Sequence, residues 1–375
     1  RRLVQLNTKY VICSCFVHNF IYPRGMDQPI PHSPRKGRGS ISNRSGRFEV
    51  QKRHAIDDDW TRDEAVPPPT TSLREDTSRT IIVRNTSPDV PFDRSINPYR
   101  GCEHGCVYCF ARPTHAYLGL SPGLDFETQL FFKPEAARLL EAELRRPSYR
   151  CDVIAMGTNT DPYQPVERDM RITRQILEVL TAFDHPVDIV TKSTLVLRDL
   201  DILAPMAARG LAQVSVSVTT LDRNLARRLE PRAATPSRRI ETIRALAAAG
   251  VPTGVMASPM IPGLNDHELE AILSQASAAG AEIASYILIR LPLEIADLFA
   301  EWLETHVPNK AKRIMSLIRE TRGGRIYQSR FSQRMRGTGT YAELLTRRFE
   351  LAVDRLGFNE RRLELNTSRF APPPT

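Results

Sequence analysis

The chain is poor in cysteine and has no long apolar run, no second pair of zinc-knuckle cysteines, and neither a helix-turn-helix nor a zinc-finger pattern. Six cysteines in 375 residues do not make a disulfide framework, and three of them fall within eight residues, the spacing of a metal site in a reducing compartment. A secreted, disulfide-stapled fold is thereby excluded and a cytoplasmic location is expected. The apolar stretch 10–22 is too short to span a bilayer, His18 and Asn19 interrupt it, and no small-x-small cleavage site follows, so neither export nor a membrane partner is expected. The sequence opens on Arg1 and turns polar and basic after Met26, where translation is expected to start.

Against these absences stands 41% hydrophobic residues, enough for a substantial core. The net charge of +9 is unevenly spread. Residues 310–362 carry fourteen Lys or Arg against five Asp or Glu, an excess equal to that of the whole chain, so a basic C-terminal surface is expected. Residues 1–91 read as an N-terminal extension, largely disordered from Asp27 on, with the acidic run Asp57-Asp58-Asp59 and the triple proline Pro67-Pro68-Pro69. Within it, Lys36 to Phe48 alternates basic and small residues, a composition suited either to phosphates or an acidic partner, or to a solvated tail.

From residue 92 short β-branched runs alternate with helix-period segments. Strands are predicted at 94–99, 152–157, 187–191, 213–219, 253–259 and 283–291, and helices at 135–145, 170–183, 198–209, 237–249, 266–279 and 292–306. Six successive βα units imply an α/β fold with a parallel sheet and right-handed crossovers. Six are too few for the eight-fold barrel; a partial (βα)6 TIM-like barrel, open on one side, fits the count. Residues 92–307 form this core, and 308–375 a basic helical C-terminal extension with helices at 310–321 and 341–356.

The segment Asn97-Pro98-Tyr99-Arg100-Gly101-Cys102-Glu103-His104-Gly105-Cys106-Val107-Tyr108-Cys109 follows the first strand, placing three thiols in a βα loop on the ligand-binding face of a parallel sheet. Cysteines spaced C-x3-C-x2-C can hold one cuboidal cluster as three thiolate ligands and leave the fourth iron open. The rival is zinc, with His104 or His115 as fourth ligand. Gly101 and Gly105 let the backbone wrap closely, or serve only as turn residues.

The C-x3-C-x2-C motif, with the aromatic Tyr108 before its last cysteine, resembles the signature of the radical S-adenosylmethionine (SAM) superfamily. The resemblance implies a 4Fe-4S cluster on Cys102, Cys106 and Cys109, with S-adenosylmethionine on the open iron. It further implies reductive cleavage to a 5′-deoxyadenosyl radical that abstracts hydrogen from a substrate, and an electron donor such as flavodoxin or ferredoxin. Together with Gly157-Thr158-Asn159-Thr160-Asp161-Pro162-Tyr163-Gln164-Pro165, the cysteine segment resembles the spore photoproduct lyase-like branch. Carried onto this chain, the cofactor contacts would be Tyr108, residues 157–161 in place of the more usual Gly-Gly-Glu, Lys192, Ser193, Ser217, Arg232 and Ile261. For these residues other readings stay open: a polar pair inside the barrel for Ser215 and Thr219, a surface pair for Glu230 with Arg232, and a helix cap at Asn265 or Asp266 beside Ile261.

The resemblance to photoproduct lyase would make DNA the substrate, and Arg322, Arg325, Arg330, Arg334, Arg336, Arg347 and Arg348, with Tyr327 and Phe331, would line a phosphate-binding surface; a solvated basic helix pair is the alternative. The lyase reaction needs a cysteine hydrogen donor near the second-strand motif, which here reads Ala155-Met156-Gly157-Thr158. Cys151 stands at the strand's start, about 20 Å from the site at ~3.3 Å per residue. Photoproduct lyase activity is therefore not expected; a radical enzyme with a small-molecule or protein substrate, and a non-catalytic metal-binding module, are the alternatives.

Overall fold

The computed structural model describes residues 34–50, 69–360 and 364–374. The apolar stretch 10–22, Met26, Cys13, Cys15, Asp57-Asp58-Asp59, Pro67 and Pro68 lie outside the described residues.

Two strands precede the first predicted one, β1 (Ser72–Glu75) and β2 (Ile82–Arg84). The run 94–99 divides into β3 (Arg94–Ile96) and β4 (Tyr99–Arg100), because Pro98 has no N–H to give to a ladder. The strand β5 (Gln129–Phe132) joins β4 and β1 in a small sheet of order β1-β5-β4. Then come β6 (Ile154–Met156), β7 (Val187–Thr191), β8 (Ala212–Ser217), β9 (Thr253–Met260) and β10 (Ile283–Leu288). The main sheet runs β10-β9-β8-β7-β6-β3-β2, all parallel except β2, which is antiparallel to β3.

Between and after the parallel strands lie α1 (Ala136–Leu144), α2 (Ile172–Ala182), α3 (Leu200–Ala208), α4 (Pro236–Ala248), α5 (Leu269–Ala278) and α6 (Ile295–His306). Since β3 and β10 do not pair, the sheet curls without closing, the partial six-unit barrel expected. Strand residues alternate between two surroundings. Val187 and Ile189 pack outward with Ile176, Leu203, Ile243 and Leu273 into the core under the helices, whereas Asp188, Ser215 and Ser217 face the barrel interior. No helix among the described residues is long and apolar enough to cross a membrane.

Two expectations change. Residues 34–50 and 69–91 are not simply unstructured: they supply β1 and β2, and Arg38, Ser40, Ile41 and Ser42 are buried. The basic and small alternation here serves packing, since a Cβ on Gly39 would lie 1.8 Å from the Gly105 carbonyl oxygen. The C-terminal extension does fold as helices, α7 (Pro308–Glu320) and α8 (Thr340–Leu356). Its arginines, however, are partly committed inward. Arg322 is buried and donates to the carbonyls of Leu288, Ile289, Gln333 and Arg334. Arg334 pairs with Asp89, Arg348 with Glu270 and Arg347 with Glu350. Arg325, Arg330 and Phe331 remain exposed.

At the N-terminal end of the strands His185 is buried, bonded to the Tyr149 hydroxyl at 2.7 Å and packed edge-on against Phe370. Burial, aided by the nearby Arg94 charge, pushes its pKa down to about 4. The neutral ring is thus the folded form, and its contribution to stability is complete above the unfolded value near ~6.5 and lost as the pH falls through about 4. The effect is on the order of 3 kcal/mol. Urea midpoints measured over that window should fall less steeply for His185→Gln than for the parent; identical slopes would contradict the assignment.

Candidate active site

The C-terminal ends of the parallel strands surround one cavity, on the face where parallel α/β folds bind their ligands. Cys102, Cys106 and Cys109 all line it, with Tyr108, Gly157, Thr158, Asn159, Thr160, Asp161, Lys192 and Ser217. Ser193, Arg232 and Ile261 do not. Ser193 caps the 3-10 turn Thr194–Asp199 through Leu195 N, Arg232 pairs with Glu103 at 3.2 Å, and Ile261 is buried in the apolar cluster behind Tyr108.

Several long-range contacts hold the thiol loop. Arg112, fully buried, donates to the carbonyls of Gly105 (3.2 Å), Cys106 (2.8 Å), Pro122 (3.0 Å) and Gly123 (2.8 Å) and pairs with the equally buried Glu127 at 2.5 Å. The Glu127 carboxylate also accepts from Gly39 N (3.0 Å) and Ser40 N (2.8 Å), so the N-terminal segment is stitched beneath the loop. Gln164, at the end of the second-strand motif, accepts from Glu103 N and donates to Gly101 O. On the far side Val107 N donates to Leu229 O and Arg232 N to His104 O.

Gly157 is fixed by geometry. Its φ is +90°, and a Cβ there would sit 2.0 Å from the Val190 carbonyl oxygen, so any side chain would push the loop off β7. Beyond it, Asp161 accepts from Thr191 Oγ1 (2.7 Å), Lys192 N (2.8 Å), Tyr163 N (2.9 Å) and the His104 ring (3.3 Å). Burial alone would raise its pKa, but His104 and these donors together hold it down at about 2. Thr160 turns its hydroxyl to Tyr99 O.

On the opposite wall Lys192 Nζ donates to Ser217 Oγ at 2.7 Å and lies 3.8 Å from Glu230; burial lowers its pKa. Tyr108 bonds Glu230 and Thr219, and Glu230 in turn is clamped by Arg239. Burial raises the Glu230 pKa despite that partner. Sequence reasoning missed Glu127, Arg112 and the network around Glu230, which are assembled from residues distant in sequence, and it read Gln164 only as part of a motif, not as a brace on the thiol loop.

The three thiols are also pushed up in pKa by burial, a cost that a cationic metal group would offset. Backbone amides point at two of the sulfurs: Asp161 N at Cys102, and those of Ala111 and Arg112 at Cys109. Among the described residues no group of three or more His, Cys, Asp or Glu side chains is arranged to hold a metal ion. His104 is turned to Asp161, and His115 Nε2 to Gln129 O at 2.9 Å. Three cysteine thiols lining one cavity are a donor set that suits a cuboidal iron-sulfur cluster.

A partial barrel whose ligand-binding face gathers three thiols around one cavity defines a cofactor-dependent enzyme. Residues 96–276 match the model of the radical SAM superfamily. Uncharacterized proteins of Mycobacterium tuberculosis (strain H37Rv) and Mycobacterium bovis are each 41% identical over 232 residues, 61% of this chain and 68% of theirs. One from Methanocaldococcus jannaschii is 28% identical over 173 residues, 46% of this chain and 62% of its own. Among solved structures, a spore photoproduct lyase variant (TM-score 0.55, 16% identity) and spore photoproduct lyase complexed with dinucleoside spore photoproduct (TM-score 0.56, 15% identity) each cover 76% of this chain and 80% of their own, and share its fold. The chain belongs to the radical SAM superfamily; it is an enzyme, and its cofactors are a 4Fe-4S cluster and S-adenosylmethionine.

Proposed function

We propose that Cys102, Cys106 and Cys109 hold the cluster and that S-adenosylmethionine lies across the cavity between residues 157–161 and the Lys192–Ser217 pair. The observation that carries this reading is the placement of all three thiols in one cavity with those residues. When bound, the two groups supply a one-electron reductive cleavage that yields a 5′-deoxyadenosyl radical for hydrogen abstraction. The reductant would be a carrier of the flavodoxin or ferredoxin kind.

The residues divide by what their polar atoms already do. Asp161 and Thr160 are satisfied within the protein, so they set the loop's shape and leave the side chains of Thr158 and Asn159 to meet the cofactor's amino group. Lys192, steadied by Ser217 and Glu230, offers an ammonium to a carboxylate. Tyr108, fixed by Thr219 and Glu230, presents its ring to the cavity. Arg232, Ser193 and Ile261 act as supports behind the site rather than as contacts.

The test is anaerobic reconstitution with iron and sulfide, reduction with S-adenosylmethionine, and assay of 5′-deoxyadenosine. Lys192→Met should keep its iron and sulfide while binding S-adenosylmethionine about 10-fold more weakly, ~1.4 kcal/mol. Unchanged affinity would remove Lys192 from the site.

A nucleic-acid substrate is the second reading, favoured by the dinucleoside photoproduct held by the lyase of this fold and by the exposed Arg325, Arg330 and Phe331. It calls for oligonucleotide binding that weakens steeply with salt. The photoproduct lyase reaction itself is not proposed, since among the described residues the cavity holds no thiol beyond the three, and Cys151 precedes β6 at the opposite end.

A further inference from the structure

Just past the end of β10, Arg290 lines the cavity with its guanidinium 4.3 Å from the centroid of the Phe110 ring. Phe110 follows Cys109 directly and is half exposed, so the pair stands at the open margin of the thiol wall. The arginines around it have acceptors. Arg112 has Glu127 and four loop carbonyls, Arg239 has Glu230, Arg322 has four carbonyls, and Arg334 has Asp89 and Ser87. Among the described residues Arg290 makes no hydrogen bond and no ion pair; its guanidinium rests on the ring, with Tyr327, Cys109 and Asp89 in its neighbourhood.

Its surroundings make that isolation costly. Burial disfavours the charged form of Arg290, and the Arg334 charge adds to the effect, with Tyr327, Cys109 and Asp89 offsetting it only in part; Arg290 in turn disfavours the charge on Arg322. The nearby Asp89 is already occupied by Arg334 and by Ser332 N. A guanidinium carries five donors in a planar fork, and leaving them unmet in a partly buried site is unfavourable unless an oxyanion arrives. Phe110 beneath the guanidinium restricts it to one plane, which suits a bidentate partner.

Two oxyanions are candidates: the carboxylate of S-adenosylmethionine and an acidic group on the substrate. The cofactor's carboxylate has a nearer claimant in Lys192, three strands away in the order β10-β9-β8-β7. We infer that Arg290, seated on Phe110, is the subsite for an oxyanion carried by the substrate, a phosphate or a carboxylate. This rests on the cofactor placement proposed above.

Inorganic phosphate is the probe, titrated calorimetrically into the full chain with and without saturating S-adenosylmethionine. Arg290→Met should weaken phosphate binding at least about 10-fold, and Phe110→Leu several-fold. Arg290→Lys, which keeps the charge and loses the fork, should fall between and covers the case in which the methionine variant does not fold. Arg138→Gln, exposed on α1, should bind as the parent does. Equal affinity in the parent and both Arg290 variants, or no binding by the parent, overturns the inference. Phosphate displaced by S-adenosylmethionine would assign Arg290 to the cofactor's carboxylate and overturn the substrate subsite. Failure of the cofactor reading shows separately, as parent protein that takes up no iron and forms no 5′-deoxyadenosine.

Discussion

Cys106→Ala is expected to reduce iron and sulfide after anaerobic reconstitution to background and to lower 5′-deoxyadenosine formation by on the order of 10³-fold or more. With one thiolate removed, two remain for a cluster that needs three protein ligands, and the vacated sulfur position is a buried, largely apolar corner beside Tyr108 that supplies no substitute donor. Cys106 is itself buried and contributes to packing, so the variant should lose about 1 kcal/mol of stability at most while remaining folded. A Cys106→Ala protein that stays brown and turns over would refute the ligand assignment outright. A colourless parent containing zinc would refute the cluster reading in this chain.

Arg112→Met should be the most destabilising single change outside the core. The guanidinium is fully buried, and its removal leaves the Glu127 carboxylate without its charge partner and four loop carbonyls short of a donor. Breaking a buried pair from one side costs roughly 3–5 kcal/mol, whereas replacing both members by apolar residues is much milder. The double variant Arg112→Met/Glu127→Leu should therefore recover part of the loss in urea denaturation, although Gly39 N and Ser40 N then lack an acceptor. Cluster occupancy should fall in the single variant as well, because the same guanidinium carries the Cys106 carbonyl. If Arg112→Met unfolds at the parent's midpoint, the pair is not what holds the loop.

Much of this organisation was legible in the sequence. The six parallel strands and their helices follow from β-branched runs alternating with 3.6-residue periodicity, which tertiary packing reinforces here, and residues 187–191 match β7 at both ends. The thiol loop was legible because three cysteines at close spacing are rare and chemically specific. What could not be read is which polar residues are already satisfied. Asp161, Thr160 and Arg232 belong to site-like motifs, yet the fold spends them on its own backbone and carboxylates. Arg322 stands in a run of basic residues that looks like a phosphate track, and only its depth beneath β10 separates it from Arg330. Nor does any local pattern announce Gly39 or Glu127, whose meeting spans 88 positions along the chain.

That meeting bears on how the enzyme can be divided. The superfamily match ends at residue 276 and begins at 96, so a fragment cut to it would retain every cysteine of the loop. It would nevertheless lack β10 and α6, and with them Arg290 and the apolar backing of Tyr108, as well as Gly39 and Ser40 under Glu127. The stretch delimited by the superfamily match is therefore smaller than the unit that holds the loop, and limited proteolysis between residues 34 and 50 should release iron even though no ligand is cut.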